Sequence, residues 1–399
     1  MNGISESAEA LTAPLVAPKA ESDSAFWPGM LLGVAATSIV VGLIWDISWH
    51  ISIGRDTFWT PAHMAIYLGG VLAGCVGGWL VISHTFLPGT KKESTAIRVF
   101  GLRAPLGGWV AIWGALAMIT SAPFDDWWHK AYGLDVKIVS PPHAVLGAGM
   151  FGISLAAVLL LLARQNRRED GAGGGLFVYA GGIFLTLGAV FVAEFIFPNL
   201  QHTGLFYEVC ALMFPFRLVA LGRAGKISWP ATRISTVYLA LVCSMIWILP
   251  LFPAQPRLAP IYNPVTHMVP PAFPLLLVFP ALAIDLVLRK TERTGGWLKR
   301  LLLAIALGGI FLIVLIGVHW FFAKFLLSRH AENWVFAGNR WFGYGAGTGE
   351  WRTRFWHVDK ASADADLVNT TAILISWALA SGGAWLGLLF GEWMRRVKR

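Results

Sequence analysis

Aspartate and histidine recur in this chain in one pattern. The first copy runs Asp46, His50, then Thr60-Pro61-Ala62-His63; the second runs Asp125, His129, then Ser140-Pro141-Pro142-His143. Residues four apart share a face of a helix, so Asp46 and His50 project together, as do Asp125 and His129. His63 follows His50 by 13 residues and His143 follows His129 by 14. In both copies a proline stands just ahead of the last histidine, where it starts a new helix rather than continuing the old one. Each copy therefore offers one carboxylate and two imidazoles from two adjoining helices. Neutral imidazole with carboxylate is a donor set for copper, and it also suits zinc and non-haem iron. Haem ligation by two histidines on one continuous helix is disfavoured, because Gly54 and Pro61 break the first interval and Gly133, Pro141 and Pro142 break the second.

Other acidic residues and histidines surround the pattern. Asp126 lies off the register of Asp125 and is read as its neighbour. Asp56 and Asp135 recur between the two helices of each copy; they either cap the following helix or hold a ligand imidazole in one tautomer. Glu194, His202 and Glu208 form a weaker third echo that could approach the same cluster.

These side chains need elements to carry them, and the composition names the class. The chain of 399 residues is 56% hydrophobic and only 13% charged, where an ordinary soluble domain has about 25% charged residues. Apolar runs long enough to cross a bilayer fall near 28–50, 62–86, 106–128, 141–164, 175–197, 204–222, 232–252, 269–289, 298–325 and 367–394. The expected fold is all-α, a polytopic transmembrane bundle with about ten crossings. Most of the 31 lysines and arginines lie in segments around 91–103, 164–168, 217–233, 289–300 and 395–399. The positive-inside rule then places both termini in the cytoplasm. All the histidines but His84 fall on the outer side. Basic loops facing anionic lipid account for the net charge of +9, so membrane lipid is expected as a partner and nucleic acid is not. Ionisable groups at membrane depth are costly and mark function.

Residues 1–25 lack a basic start followed by an apolar run and read as a flexible cytoplasmic tail. The three cysteines, Cys75, Cys210 and Cys243, form no CxxC pair, so neither a disulfide framework nor a thiolate metal site is expected. Residues 26–165 form a duplicated helical-hairpin region, and 166–399 hold further membrane helices. Within the latter, the outer connection 326–366 is rich in aromatic rings and reads as an interfacial belt or as a lid or docking face. No phosphate-binding loop, dinucleotide fingerprint, HExxH helix or nucleophile elbow is present.

The segment from Asp46 through Trp49-His50, Arg55-Asp56-Thr57 and Thr60-Pro61-x-His63 resembles the C subunit of the copper membrane monooxygenases, the particulate methane and ammonia monooxygenase group. The resemblance covers about residues 27–165. It implies that Asp46, His50 and His63 correspond to the three ligands of that subunit's membrane copper site. It further implies a second copper site at Asp125, His129 and His63, with His143 close by; aspartate stands at 125 where the family has asparagine. One or two copper ions, dioxygen-dependent hydroxylation of a small apolar substrate or ammonia, other membrane subunits as partners, and a bacterial inner-membrane location with the metal toward the periplasm are the corresponding expectations. A copper-handling protein or a purely structural subunit, neither turning over, are the alternatives.

Overall fold

A computed structural model describes residues 26–54, 57–87, 96–132, 140–167, 174–257, 265–291, 296–331, 333–336 and 368–398. Among the described residues the chain forms ten α-helices: α1 (Phe26–Ser52), α2 (Pro61–Thr85), α3 (Leu106–Tyr132), α4 (Pro141–Arg167), α5 (Gly174–Val190), α6 (Gly204–Ala224), α7 (Pro230–Ile248), α8 (Val278–Lys290), α9 (Trp297–Leu326) and α10 (Thr370–Met394). Each falls on one of the ten apolar runs. Among the described residues, eight elements are long and apolar enough to cross a membrane, the mark of a helical membrane protein. The other two helices are shorter than their runs. α5 stops at Val190 and the chain continues through short turns at Ala193–Phe195 and Pro198–Leu200. α8 begins only at Val278, because Pro270, Pro271 and Pro274 supply no amide hydrogen to a helical ladder.

The fold is not wholly helical. Strands β1 (Ile97–Val99) and β2 (Leu102–Ala104) pair antiparallel, with Arg98 opposite Arg103. Phe100 and Gly101 join them, both at positive φ (47° and 86°), the backbone that a two-residue hairpin turn requires.

The sequence repeat is also a packing repeat. In the first hairpin, a Cβ added to Gly69 would lie 2.5 Å from the carbonyl oxygen of Ala35; in the second, one added to Gly149 would lie 2.7 Å from that of Gly114. Gly69 and Gly149 each follow the last histidine of their copy by six residues, and Ala35 and Gly114 each precede its aspartate by eleven. Backbones this close exclude any side chain, so small residues at these offsets fix the crossing of α1 on α2 and of α3 on α4.

α2 packs on α3 along Gly70, Gly74 and Gly77, and α1 packs on α4 where Gly29 meets Leu161. α1 to α4 thus stand as a four-helix square. In the rest of the chain α6 runs parallel to α10, from Gly204 against Ala372 to Gly391 against Ala220, and α9 crosses α10 at Gly308 and Ser381. One continuous apolar core joins both parts, from Leu32 in α1 to Met394 in α10. At the end of the bundle opposite the aspartate–histidine pairs, Glu392 accepts from Arg300 at 3.0 Å and lies 3.6 Å from Arg223. Buried Asp285 there receives the first free amides of α7, from Ala231 and Thr232, as a carboxylate at a helix N-terminus should.

Candidate metal centre

The first candidate ligand set sits where α1 hands over to α2. The last turn of α1 closes with the amides of Ile53 and Gly54 both on the Trp49 carbonyl. Gly54, at φ 83°, supplies the left-handed residue that ends a helix. Pro61 then opens α2. Between them a tight turn is held by Thr57 and Thr60: the Thr57 amide donates to Thr60 Oγ1 at 2.8 Å, and the Thr60 amide donates to the Thr57 carbonyl at 2.9 Å. That carbonyl also receives His63 Nδ1 at 2.9 Å.

A carbonyl only accepts, so Nδ1 of His63 carries the hydrogen. In the neutral ring Nε2 is then a lone pair, and it stands 3.1 Å from Asp46 Oδ1. Oδ1 is buried and, among the described residues, accepts no hydrogen bond despite that short approach. A lone pair facing a carboxylate oxygen repels it; either a second ring proton or a metal cation removes the conflict. His50 Nε2 lies 3.8 Å from the other oxygen, Asp46 Oδ2. Neighbouring ligands around an ion at roughly 2.0–2.1 Å stand about 2.9–3.4 Å apart. The Asp46–His63 pair already has that spacing, and the His50 contact is slightly long. His50 is also 49% exposed against 20% for His63, so it forms the rim of the site and His63 its interior.

The second copy repeats the arrangement in part. Pro141 opens α4, and Ser140 takes the place of Thr60: its carbonyl receives the Ala144 amide at 2.8 Å, as that of Thr60 receives Met64 at 3.0 Å. His143 Nε2 lies 3.5 Å from Asp125 Oδ1. The side chains of His129, Asp126 and Glu194 lie outside the described residues, as do Asp56 and Asp135 entirely. Among the described residues no three His, Cys, Asp or Glu side chains are gathered closely enough to hold an ion as they stand; the geometry offers two aspartate–histidine pairs.

His202 and Glu208 do not join these pairs through any hydrogen bond or ion pair among the described residues. His202 instead binds α9, with Nε2 donating to the Trp320 carbonyl at 3.0 Å and the ring edge-on to Trp320. Burial there holds its pKa below the ordinary histidine value of 6.5, and nearby Lys324 pushes it the same way. Glu208 lies on α6. The tryptophans near the pattern divide: Trp45 and Trp49 pack on the core, whereas Trp59 and Trp127 are exposed. Of the aromatic connection, residues 337–367 lie outside the described residues; its start is anchored by Trp247, which donates to the Val335 carbonyl and stacks on Trp334.

Two features escaped the sequence reading. One is the Thr57 carbonyl that sets the tautomer of His63; its trace was the paired threonines ahead of Pro61. The other is the pair of stretches 253–257 and 265–269, which dock on the end of α1. Val269 donates to Ser52 Oγ at 2.7 Å and Arg257 to the Ile53 carbonyl at 2.9 Å, and Val265 and Val269 pack on Ile51. No pattern in the sequence links a loop so distant to that helix end.

Compared with models of known protein families, with curated proteins and with solved structures, the chain matches none.

Proposed function

We propose that this protein is a copper-binding membrane protein related to the C subunit of the copper membrane monooxygenases. In this reading it spans a bacterial inner membrane ten times with both termini in the cytoplasm, and its aspartate–histidine pairs open toward the periplasm. Lipid and other membrane subunits are its partners. The observation that carries the reading is His63, whose Nδ1 is committed to the Thr57 carbonyl and whose Nε2 is aimed at Asp46. A backbone acceptor behind a ligand imidazole is the usual outer support of a metal site. The recurrence of the pair as His143 and Asp125 adds to it.

Bound copper would supply one-electron chemistry and dioxygen activation for hydroxylating a small apolar molecule or ammonia. The chain's own part is to hold and shield. Thr57 keeps His63 in the tautomer that leaves Nε2 open. Asp46 contributes the negative charge that offsets a cation at membrane depth. His50 completes the set from the rim. Zinc or iron would meet the same donors, so metal content decides the element. The test is elemental analysis and paramagnetic resonance of protein purified from membranes, with substrate-dependent oxygen consumption measured on membranes holding its partners. Copper together with such consumption supports the reading; stoichiometric zinc, or no metal, overturns it.

The half-exposed edge at His50 favours a second reading, in which the protein captures or delivers copper without turnover. That reading predicts copper in the purified protein and no oxygen consumption with any partner.

A further inference from the structure

Helix α6 carries a charge deep within an apolar span. Gly204–Ala224 is one of the elements long and apolar enough to cross a bilayer, and Arg217 stands thirteen residues from its start and seven from its end. At 1.5 Å per residue its Cα lies about 20 Å and about 10 Å from those ends, inside the helix rather than in the basic loop that follows. Arginine does not shed its proton, so a charge at that depth calls for a counter-charge. The other arginine of the helix, Arg223, has one in Glu392 at 3.6 Å. Among the described residues no carboxylate pairs with Arg217.

The surroundings are shaped to the guanidinium. A Cβ added to Gly188 of α5 would lie 2.9 Å from Nε of Arg217 and 3.0 Å from its Cζ, so glycine at 188 makes the room. The rings of Phe151 in α4 and Phe184 in α5 have their centroids 5.1 and 5.3 Å from Cζ, within cation–π range. Nη1 donates to the Met213 carbonyl and lies against its sulfur, both at 2.7 Å. Nε is buried, and no described residue accepts from it or from Nη2. Those two nitrogens form one edge of the planar group. Their N–H bonds point the same way, the fork that matches both oxygens of a carboxylate. Phe151 packs in turn on Phe191 at 4.9 Å, and Phe191 is 38% exposed. An aromatic wall thus leads from the guanidinium to the surface of the bundle.

We propose that α4, α5 and α6 form a binding site for a carboxylate with an apolar body. The two oxygens take Nε and Nη2 of Arg217, and the body lies along Phe151 toward Phe191. Charge sets the class: one negative charge neutralises the arginine, whereas a phosphate dianion would leave the interior net negative. The site is built by other helices than those of the aspartate–histidine pairs and does not depend on a metal.

The experiment measures binding of octanoate, octanol, acetate and inorganic phosphate to the full-length protein in lipid nanodiscs, with empty nanodiscs subtracted. Wild type is compared with Arg217→Gln, which removes the charge, and with Gly188→Ala, which keeps the charge but pushes the guanidinium aside. Folding of each is checked by circular dichroism and size exclusion. The expected result is saturable octanoate binding at one per chain, with the other three compounds at least tenfold weaker, and octanoate at least tenfold weaker in both variants. Octanol binding as tightly as octanoate would show that the charge is unused. Acetate binding as tightly would show the same of the aromatic wall, and phosphate binding as tightly would remove the carboxylate class. Any of these overturns the proposal, as does a folded wild type that does not bind octanoate, or a folded variant that binds it equally well. Should Arg217→Gln fail to fold, Gly188→Ala and the selectivity of the wild type still decide.

Discussion

At the scale of residues, the account turns on hydrogen-bond direction. The Thr57 carbonyl accepts from His63 because Thr60 Oγ1 holds the turn. Replacing Thr60 with valine removes that hydroxyl, at a cost of about 1 kcal/mol of hydrogen bonding. We expect Thr60→Val to fold and to bind metal roughly tenfold more weakly; a titration giving wild-type affinity would show that the turn does not position His63. His202 provides a prediction on pH. Its folded-state pKa lies below 6.5 because burial and Lys324 disfavour the charged ring. The unfolded chain then binds more protons than the folded one, so this contribution to stability is present above pH 6.5 and lost as pH falls below it. Thermal unfolding in detergent should show a melting temperature that drops between pH 7.5 and 5.5, and His202→Gln should flatten the drop. An equal drop in that variant would remove His202 as the cause. The sequence made Asp46, His63, Asp125 and His143 legible because type and spacing repeat. It left the placement of His202 open, since a loop histidine finds its acceptor, here the carbonyl of Trp320, only through tertiary packing.

At the scale of elements, close helix crossings position the aspartates and histidines. A Cβ at position 69 meets a backbone oxygen that cannot move aside, so Gly69→Ala should cost about 1–3 kcal/mol, the usual penalty of overpacking. Gly78, which has open space around its Cβ direction, is the control. Gly78→Ala should leave the melting temperature of purified protein unchanged while Gly69→Ala lowers it. Equal melting temperatures would contradict the crossing. All ten helices were legible as apolar runs, because burial in a bilayer leaves a long uniform signal. Their ends were less so. The run 269–289 gave no hint in hydropathy that Pro270, Pro271 and Pro274 delay α8 to Val278, since proline passes in an apolar segment while denying it helical hydrogen bonds. The β1–β2 hairpin was invisible for a different reason: three-residue strands are too short to show alternation.

At the scale of the molecule, a pseudo-symmetric four-helix square is packed against the remaining helices through one core, and the stretches 253–257 and 265–269 tie the end of α1 to the second half. The topology is tested by single cysteines at Thr57 and Leu87 in a background with Cys75, Cys210 and Cys243 replaced by serine. Membrane-impermeant maleimide on sealed, oriented vesicles should label them from opposite sides, Thr57 from the periplasmic side; labelling from one side would refute the crossing of α2. The central claim is that the aspartate–histidine pairs hold copper. Its most direct test is the copper content per chain of protein purified from copper-replete membranes, wild type beside His63→Ala, at equal fold and purity. The account predicts stoichiometric copper in the wild type and its loss in the variant. Copper that is absent from both, or present equally in both, would contradict it.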